Sequence, residues 1–141
     1  MSMPPPLSDA AIDRIRDSFV EVLFARDEAA RVFYARLFEL APDTRHLFRD
    51  DLTDQGRVLL STLASIVSGL NTLDASAPAL RALGQRHVGY GAQPSHYAAV
   101  GEALLHMVAT MAGGSLDGYT REAWRTAYRT IAALMTENSL A

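Results

Sequence analysis

The sequence contains no cysteine, no cluster of basic residues and no long apolar run. Without cysteine the chain forms neither a disulfide nor a thiolate metal site, and histidine becomes its main soft metal ligand. The 13 basic and 16 acidic residues are dispersed and give a net charge of −3, so we expect no nucleic-acid partner. No stretch approaches the roughly 18 apolar residues of a membrane span, and Met1 to Leu7 lacks the pattern of a signal peptide. We therefore expect a cytoplasmic protein with no membrane partner.

The composition is that of a folded globular domain. Hydrophobic residues make up 49% of the 141 residues and charged residues 21%, unlike the apolar-poor pattern of disordered chains. A chain of this length buries roughly 68% of its unfolded surface in one core. We expect one domain over residues 1–141, in which residues 1–7, with Pro4, Pro5 and Pro6, form a short lead-in.

Apolar residues recur three and four positions apart along the chain, which is helical and not strand periodicity. Proline, glycine and capping residues punctuate this pattern. The fold class we predict is all-α. The first four predicted helices begin after Ser8, after Asp27, at Pro42 and at the cap Thr53, and the third of them ends near Phe48. After a loop from Asn71 to Ser76, a fifth helix begins near Pro78 and ends at Gly89 and Gly91. The sixth begins at Pro94 and Ser95 and ends at Gly113 and Gly114, and the last begins near Thr120.

His87 differs from the other histidines in its placement. It continues the apolar stripe of Leu80 and Leu83 by four residues, so it faces the same interior as those leucines. An inward imidazole is either hydrogen-bonded to backbone or acts as an axial haem ligand, and spacing does not choose between the two. Solvated surface positions are expected for His46, His96 and His106.

Two polar residues on other helices are candidates for the same interior. Tyr34 shares a face with Leu37, and a buried tyrosine must satisfy its hydroxyl. Gln55 lies one turn before Leu59 and would reach the pocket from its mouth. The alternative for Tyr34 is a core aromatic residue whose hydroxyl bonds to backbone, and the alternative for Gln55 is a surface glutamine in the first turn of its helix.

Taken in order, several short stretches resemble the bacterial single-domain haemoglobins and are similar to the haem domain of flavohaemoglobins. The stretches are Phe33-Tyr34 with Leu37-Phe38, Pro42 with Leu47-Phe48, Gln85-Arg86-His87, His96-Tyr97 with Val100-Gly101 and Leu104-Leu105, and Ala123-Trp124 with Ala127-Tyr128. The resemblance covers nearly the whole chain. It implies a globin fold, with the helices packed around a haem pocket.

The resemblance also implies haem b (iron protoporphyrin IX) as the cofactor and gives each candidate residue a role. The roles are His87 as proximal iron ligand, Phe48 against the porphyrin face, Tyr34 and Gln55 as the distal polar pair, Leu59 over the iron, Arg86 near a haem propionate and Tyr97 supporting the proximal side. For Arg86 the alternative is a solvated helix residue, and for Tyr97 a packed aromatic with its hydroxyl at the surface.

The chain departs from the flavohaemoglobin pattern in two places. The connector from Phe48 to Gln55 is shorter, and an alignment without a gap would put Val58 at the distal position; we prefer Gln55 because the following apolar stripe then keeps register. Near the C-terminus, Ser139 stands where the family often has a glutamate, and Glu137 points to a different face. We therefore expect weaker anionic push on the iron.

The function that this resemblance implies is reversible binding of dioxygen, nitric oxide or carbon monoxide, in oxygen handling and transport or in nitric oxide detoxification. A nitric oxide dioxygenase would need a separate reductase, because the residues up to Ala141 contain no flavin or nicotinamide module. The alternatives are a gas or redox sensor and a haem-free globin-fold interaction module, in which His87 would be a core histidine.

Overall fold

The computed structural model describes residues 7–136, and its regular structure is entirely helical, which confirms the predicted all-α class. These residues form six α-helices and two short 3₁₀ helices. In chain order these are α1 (Asp9–Phe24), α2 (Arg26–Leu40), a 3₁₀ helix (Pro42–Leu47), α3 (Thr53–Ser68), a 3₁₀ helix (Leu70–Thr72), α4 (Leu73–Gly89), α5 (His96–Met111) and α6 (Gly118–Thr136). The predictions for Pro4 to Pro6, Glu137 and Ser139 lie outside the described residues.

Several helix ends are set by the residues that the sequence indicated. The Ser8 hydroxyl oxygen accepts the Ala11 N–H at 3.1 Å and caps α1. Gly91, which follows α4, has φ +98°, and Gly113 and Gly114, which follow α5, have φ +102° and +119°. Such left-handed conformations favour glycine, so these positions terminate both helices.

Two predicted helix starts are wrong. Thr53 does not cap α3; it is the first residue of the helix, and the Asp51 carboxylate accepts both its N–H at 3.0 Å and its hydroxyl at 2.7 Å. The predicted loop from Asn71 to Ser76 is mostly helical, because α4 already begins at Leu73, whose side chain packs against the core. Pro78 therefore lies inside α4. It is the sixth residue of the helix, so its missing N–H removes one i→i−4 backbone hydrogen bond from the second turn.

The core is formed where α2 crosses α3 and α5, where α1 packs on α5 and α6, and where α4 packs on α6. Its largest fully buried side chains are Phe19, Ile15, Leu60, Met107, Val22 and Val108. Trp124 is also buried, and its indole N–H donates to the Ser18 hydroxyl at 2.8 Å. This bond satisfies the polar atom that burial of tryptophan removes from water.

Two glycines let helices approach closely beside the candidate site. A Cβ on Gly56 would lie 2.9 Å from the Cβ of Ala30, so the first turn of α3 touches α2 there. A Cβ on Gly84 would overlap the backbone carbonyl of Met135, so α4 lies directly against α6. These contacts fix the positions of the helices that carry Gln55 and His87.

Within residues 7–136, no single helix is both long and apolar enough to cross a membrane. The segments Thr53–Ser68 and Leu70–Gly89 are long and apolar enough only when taken together, and they are bent by 59° relative to each other. This match rests on length and composition alone.

Candidate functional site

A largely apolar cavity of about 170 Å³ lies between α3, α4, α5 and α6. Its walls are mostly aliphatic side chains, among them Leu59, Leu63, Ile66, Leu83, Val100 and Ile131. The lining also includes Thr62, His87, His96, Tyr97 and Tyr128. Of the seven candidate residues, the cavity thus brings together His87, Leu59 and Tyr97.

His87 sits in the last turns of α4 and is half-buried. Its Nδ1 lies 2.8 Å from the Leu83 carbonyl oxygen. Because a carbonyl oxygen only accepts, Nδ1 must carry the proton, and the lone pair of the neutral ring is on Nε2. A fixed tautomer with a free Nε2 is the form of histidine that binds a metal.

The wall beside His87 is held by a tyrosine pair. The Tyr128 hydroxyl donates to the Tyr97 carbonyl at 2.6 Å, which ties α6 to the first turn of α5. Burial raises the pKa of both phenols, so both are neutral at physiological pH. Gly101 makes room for this arrangement, because a Cβ there would lie 2.7 Å from the Tyr128 ring.

The prediction that His96 is a solvated surface residue is wrong. Only 8% of His96 is exposed, and the residue lines the cavity. Its Nε2 donates to the Asp43 carboxylate at 2.8 Å, and its Nδ1 accepts the Gln93 N–H at 3.1 Å. The bond from His96 holds the pKa of Asp43 below its usual value. Sequence reasoning missed this residue because its partner is 53 positions away.

Tyr34 is buried, with 4% exposed, in a cluster of aromatic rings. Its ring centroid lies 5.0 Å from that of Phe33, 5.9 Å from that of Phe38 and 5.4 Å from that of Phe48. Burial raises the pKa of Tyr34 to about 12, and hydrogen bonding to Gln55 partly offsets that effect. The side chain is therefore a neutral phenol with a proton to donate. It lines a groove between α2 and the start of α3, and it is not among the residues that line the main cavity.

The first turn of α3 places Gln55, and not Val58, beside Tyr34. The Tyr34 hydroxyl donates to the backbone carbonyl of Gln55 in a long bond of 3.4 Å, and the contact between Gly56 and Ala30 sets this register. The Gln55 side chain is exposed, and Val58 is 58% exposed. One turn after Gln55, Leu59 reaches the cavity.

The two remaining candidates lie outside the cavity lining. Phe48 follows the first 3₁₀ helix and packs against Tyr34 and Phe38. Arg86 is exposed and borders a shallow groove between α3 and α4. Sequence reasoning also missed Arg45, which donates to the carbonyls of the connector at residues 48–50 and lies 5.0 Å over the Phe38 ring.

The fold and the site define a class: all-helical proteins that enclose an apolar cavity in which one histidine offers a free ring nitrogen. Comparison with known protein families identifies the family within this class. The globin family profile matches residues 31–135, and the chain belongs to the globin family. It is a globin of the bacterial type, as the resemblance implied.

The relatives agree with this placement. The chain is 29% identical over 99 residues to a flavohemoprotein of Vibrio cholerae, covering 68% of this chain and 25% of that protein. It thus spans about a quarter of the length of that relative. A bacterial globin structure from Campylobacter jejuni superposes with a TM-score of 0.79 at 20% identity, over 95% of this chain and 100% of the other.

A second solved structure is an engineered carbene transferase from Rhodothermus marinus, whose parent is provisionally assigned as a nitric oxide dioxygenase. It superposes with a TM-score of 0.80 at 25% identity, over 95% of this chain and 94% of the other. Membership of the globin family supports haem-dependent gas binding by this chain. The residues present fit that cofactor, because an apolar cleft with one metal-binding imidazole suits a flat apolar ring system whose metal accepts an axial nitrogen ligand.

Proposed function

We propose that this globin binds haem b in the cavity between α3 and α4, with His87 as the proximal ligand, and that it binds dioxygen and other diatomic gases reversibly. The observation that carries the proposal is the bond from His87 Nδ1 to the Leu83 carbonyl in a largely apolar cavity. That bond leaves Nε2 unprotonated and limits rotation of the ring. Haem, when bound, supplies an iron centre that takes small gaseous ligands.

On the proximal side, the chain's own groups support the imidazole without charging it. The acceptor for Nδ1–H is a neutral carbonyl rather than a carboxylate, so His87 is a weaker electron donor than a histidine paired with an anion. Tyr97 lines the cavity as a neutral phenol. This arrangement favours ligand storage and exchange over chemistry that needs strong electron donation.

On the distal side, the proposal assigns polar contacts to Tyr34 and Gln55. The Tyr34 phenol keeps its proton because its pKa is about 12, so it can donate a hydrogen bond to a ligand that carries partial negative charge. Its bond to the Gln55 carbonyl is 3.4 Å long and therefore weak, so exchanging that partner for a ligand costs little. Leu59, Phe48 and Arg86 complete the proposed site as apolar cover, ring contact and propionate partner.

Oxygen handling and nitric oxide detoxification in the cytoplasm are the roles that we propose for this binding. The relatives that support the second role are the flavohemoprotein and the provisionally assigned nitric oxide dioxygenase. Nitric oxide dioxygenation yields nitrate and needs an electron for each cycle, which on this proposal a reductase supplies. Mixing the oxygenated protein with nitric oxide and then with a flavin reductase tests the role; without nitrate and re-reduction, a gas binder remains.

Titration of the purified protein with hemin, followed by absorption, tests the cofactor. One equivalent should produce a Soret band, and His87→Ala should lose stable haem retention, because the other imidazole of the cavity, His96, has both ring nitrogens engaged. His106→Ala is the matched control, since His106 is exposed on α5. If the wild-type protein takes up no hemin, the chain is a haem-free globin-fold module and the proposal fails. If His87→Ala keeps both haem and spectrum, His87 is not the ligand.

The distal assignment is tested by Tyr34→Phe. Removing the hydroxyl deletes a hydrogen bond to the ligand worth about 1.5–3 kcal/mol in a buried polarised site, so dioxygen should dissociate roughly 10- to 100-fold faster. The measurement is stopped-flow displacement of dioxygen by carbon monoxide. Tyr119→Phe is the control, because that tyrosine is 76% exposed. An unchanged rate in Tyr34→Phe would remove Tyr34 from the site.

A further inference from the structure

The loop between α4 and α5 and the first residue of α5 are held against the 3₁₀ helix Pro42–Leu47 at two points. At one, His96 donates to the Asp43 carboxylate at 2.8 Å. At the other, Leu47 packs on Gly91, where an added Cβ would lie 3.0 Å from the Leu47 Cδ2. We call this pair of contacts the clasp.

The clasp joins the two segments that carry haem-contacting residues in the proposed function. The 3₁₀ helix ends at Leu47 and leads directly into Phe48. The loop begins after Gly89, two residues beyond His87, and its Ala92 N–H donates to the His87 carbonyl at 2.9 Å. A movement of the 3₁₀ helix away from the loop would therefore separate Phe48 from His87.

We propose that His96 is a positioning residue of the haem site: with Asp43 it holds the clasp closed and limits the rate at which haem leaves. This inference rests on the proposed function and deepens it. His96 suits the task because its ring is buried, lines the cavity and has both nitrogens engaged. A buried group with two satisfied polar atoms is more rigidly placed than a surface ion pair.

The bonding pattern explains why an imidazole suits this position. Nδ1 of His96 accepts the Gln93 N–H while Nε2 donates to Asp43, so one ring holds both the loop and the 3₁₀ helix. Other charged or titratable groups near this point are His46, which acts on Asp43, and His87, which lines the same cavity. A side chain that lacks either the acceptor or the donor would release one of the two segments.

Transfer of haem from the loaded protein to excess apomyoglobin, followed by absorption at pH 7, tests the proposal. His96→Leu removes both ring bonds and should release haem about five- to tenfold faster. His96→Gln still donates to Asp43 and should stay within about twofold of wild type. His106→Leu, exposed on the same helix, should match wild type.

Two outcomes would overturn the proposal. One is a wild-type rate of haem release in His96→Leu. The other is a His96→Gln variant that releases haem about five- to tenfold faster than wild type although it still donates to Asp43, which tests the positioning role even if His96→Leu fails to fold. Failure of the proposed function is distinct from both, because the wild-type protein would then take up no haem.

Discussion

Replacing Gly84 by alanine tests the packing that holds the His87 helix in place. A Cβ at this position overlaps the backbone carbonyl of Met135 on α6, and backbone has no rotamer by which to move aside. The two helices must therefore move apart, which should lower the free energy of unfolding by the roughly 1–3 kcal/mol typical of overpacking. Alanine is intrinsically better than glycine inside a helix by about 0.8 kcal/mol, which offsets part of that cost.

Gly89→Ala is the matched control for this substitution. Gly89 ends the same helix, has nothing within 4 Å of an added Cβ and does not have a positive φ. It should gain about 0.5 kcal/mol from helix propensity. We therefore expect the two alanine variants to differ by about 2 kcal/mol, or about 8 °C in Tm for a domain of this size.

The assay is thermal unfolding of both haem-loaded variants by circular dichroism, with haem transfer to apomyoglobin as the second measurement. Because His87 lies one turn after Gly84, Gly84→Ala should also release haem faster than Gly89→Ala. Equal or higher stability of Gly84→Ala would refute the close approach of α4 to α6. A stability loss with unchanged haem release would show that this approach does not position His87.

Further predictions concern pH and helix ends. The Tyr34 pKa is raised to about 12, so the folded state favours the neutral phenol and loses stability as pH rises from 10 to 12. Between pH 9.5 and pH 11.5, the free energy of urea unfolding should fall less in Tyr34→Phe than in the wild-type protein. Ser18→Ala leaves the Trp124 N–H without its partner and should cost about 1–2 kcal/mol in urea unfolding, and an unchanged midpoint would contradict the bond. Asp117→Ala removes the carboxylate that caps α6 through Thr120 and should cost about 1 kcal/mol, whereas Asp117→Asn should retain most of it.

The features that sequence predicts well here depend on neighbours within one or two turns. The stops at Gly91, Gly113 and Gly114 follow from backbone conformations that only glycine adopts easily. The inward direction of His87 follows from its spacing to Leu83, and the structure adds that the Leu83 carbonyl is its partner. A helix face can be read from a few letters because its geometry is regular.

The features that sequence misses depend on contacts between distant segments. The residues from Asn71 to Ser76 have loop composition, yet burial of Leu73 against the core draws most of them into α4. His96 has polar neighbours in sequence, yet folding brings Asp43 to it and closes solvent away. Neither event leaves a local signal, since the deciding partner is far along the chain.

The close contact between Gly56 and Ala30 predicts how the site would respond to residues inserted before α3. Because that contact, and not the span from Phe48 to Thr53, sets where α3 lies, residues added within the span would bulge into solvent and leave Tyr34 beside Gln55. We therefore expect the short connector to accept inserted residues without moving that pair. An engineer who wished to graft a peptide near the cavity mouth would choose it, and would leave Gly56 untouched.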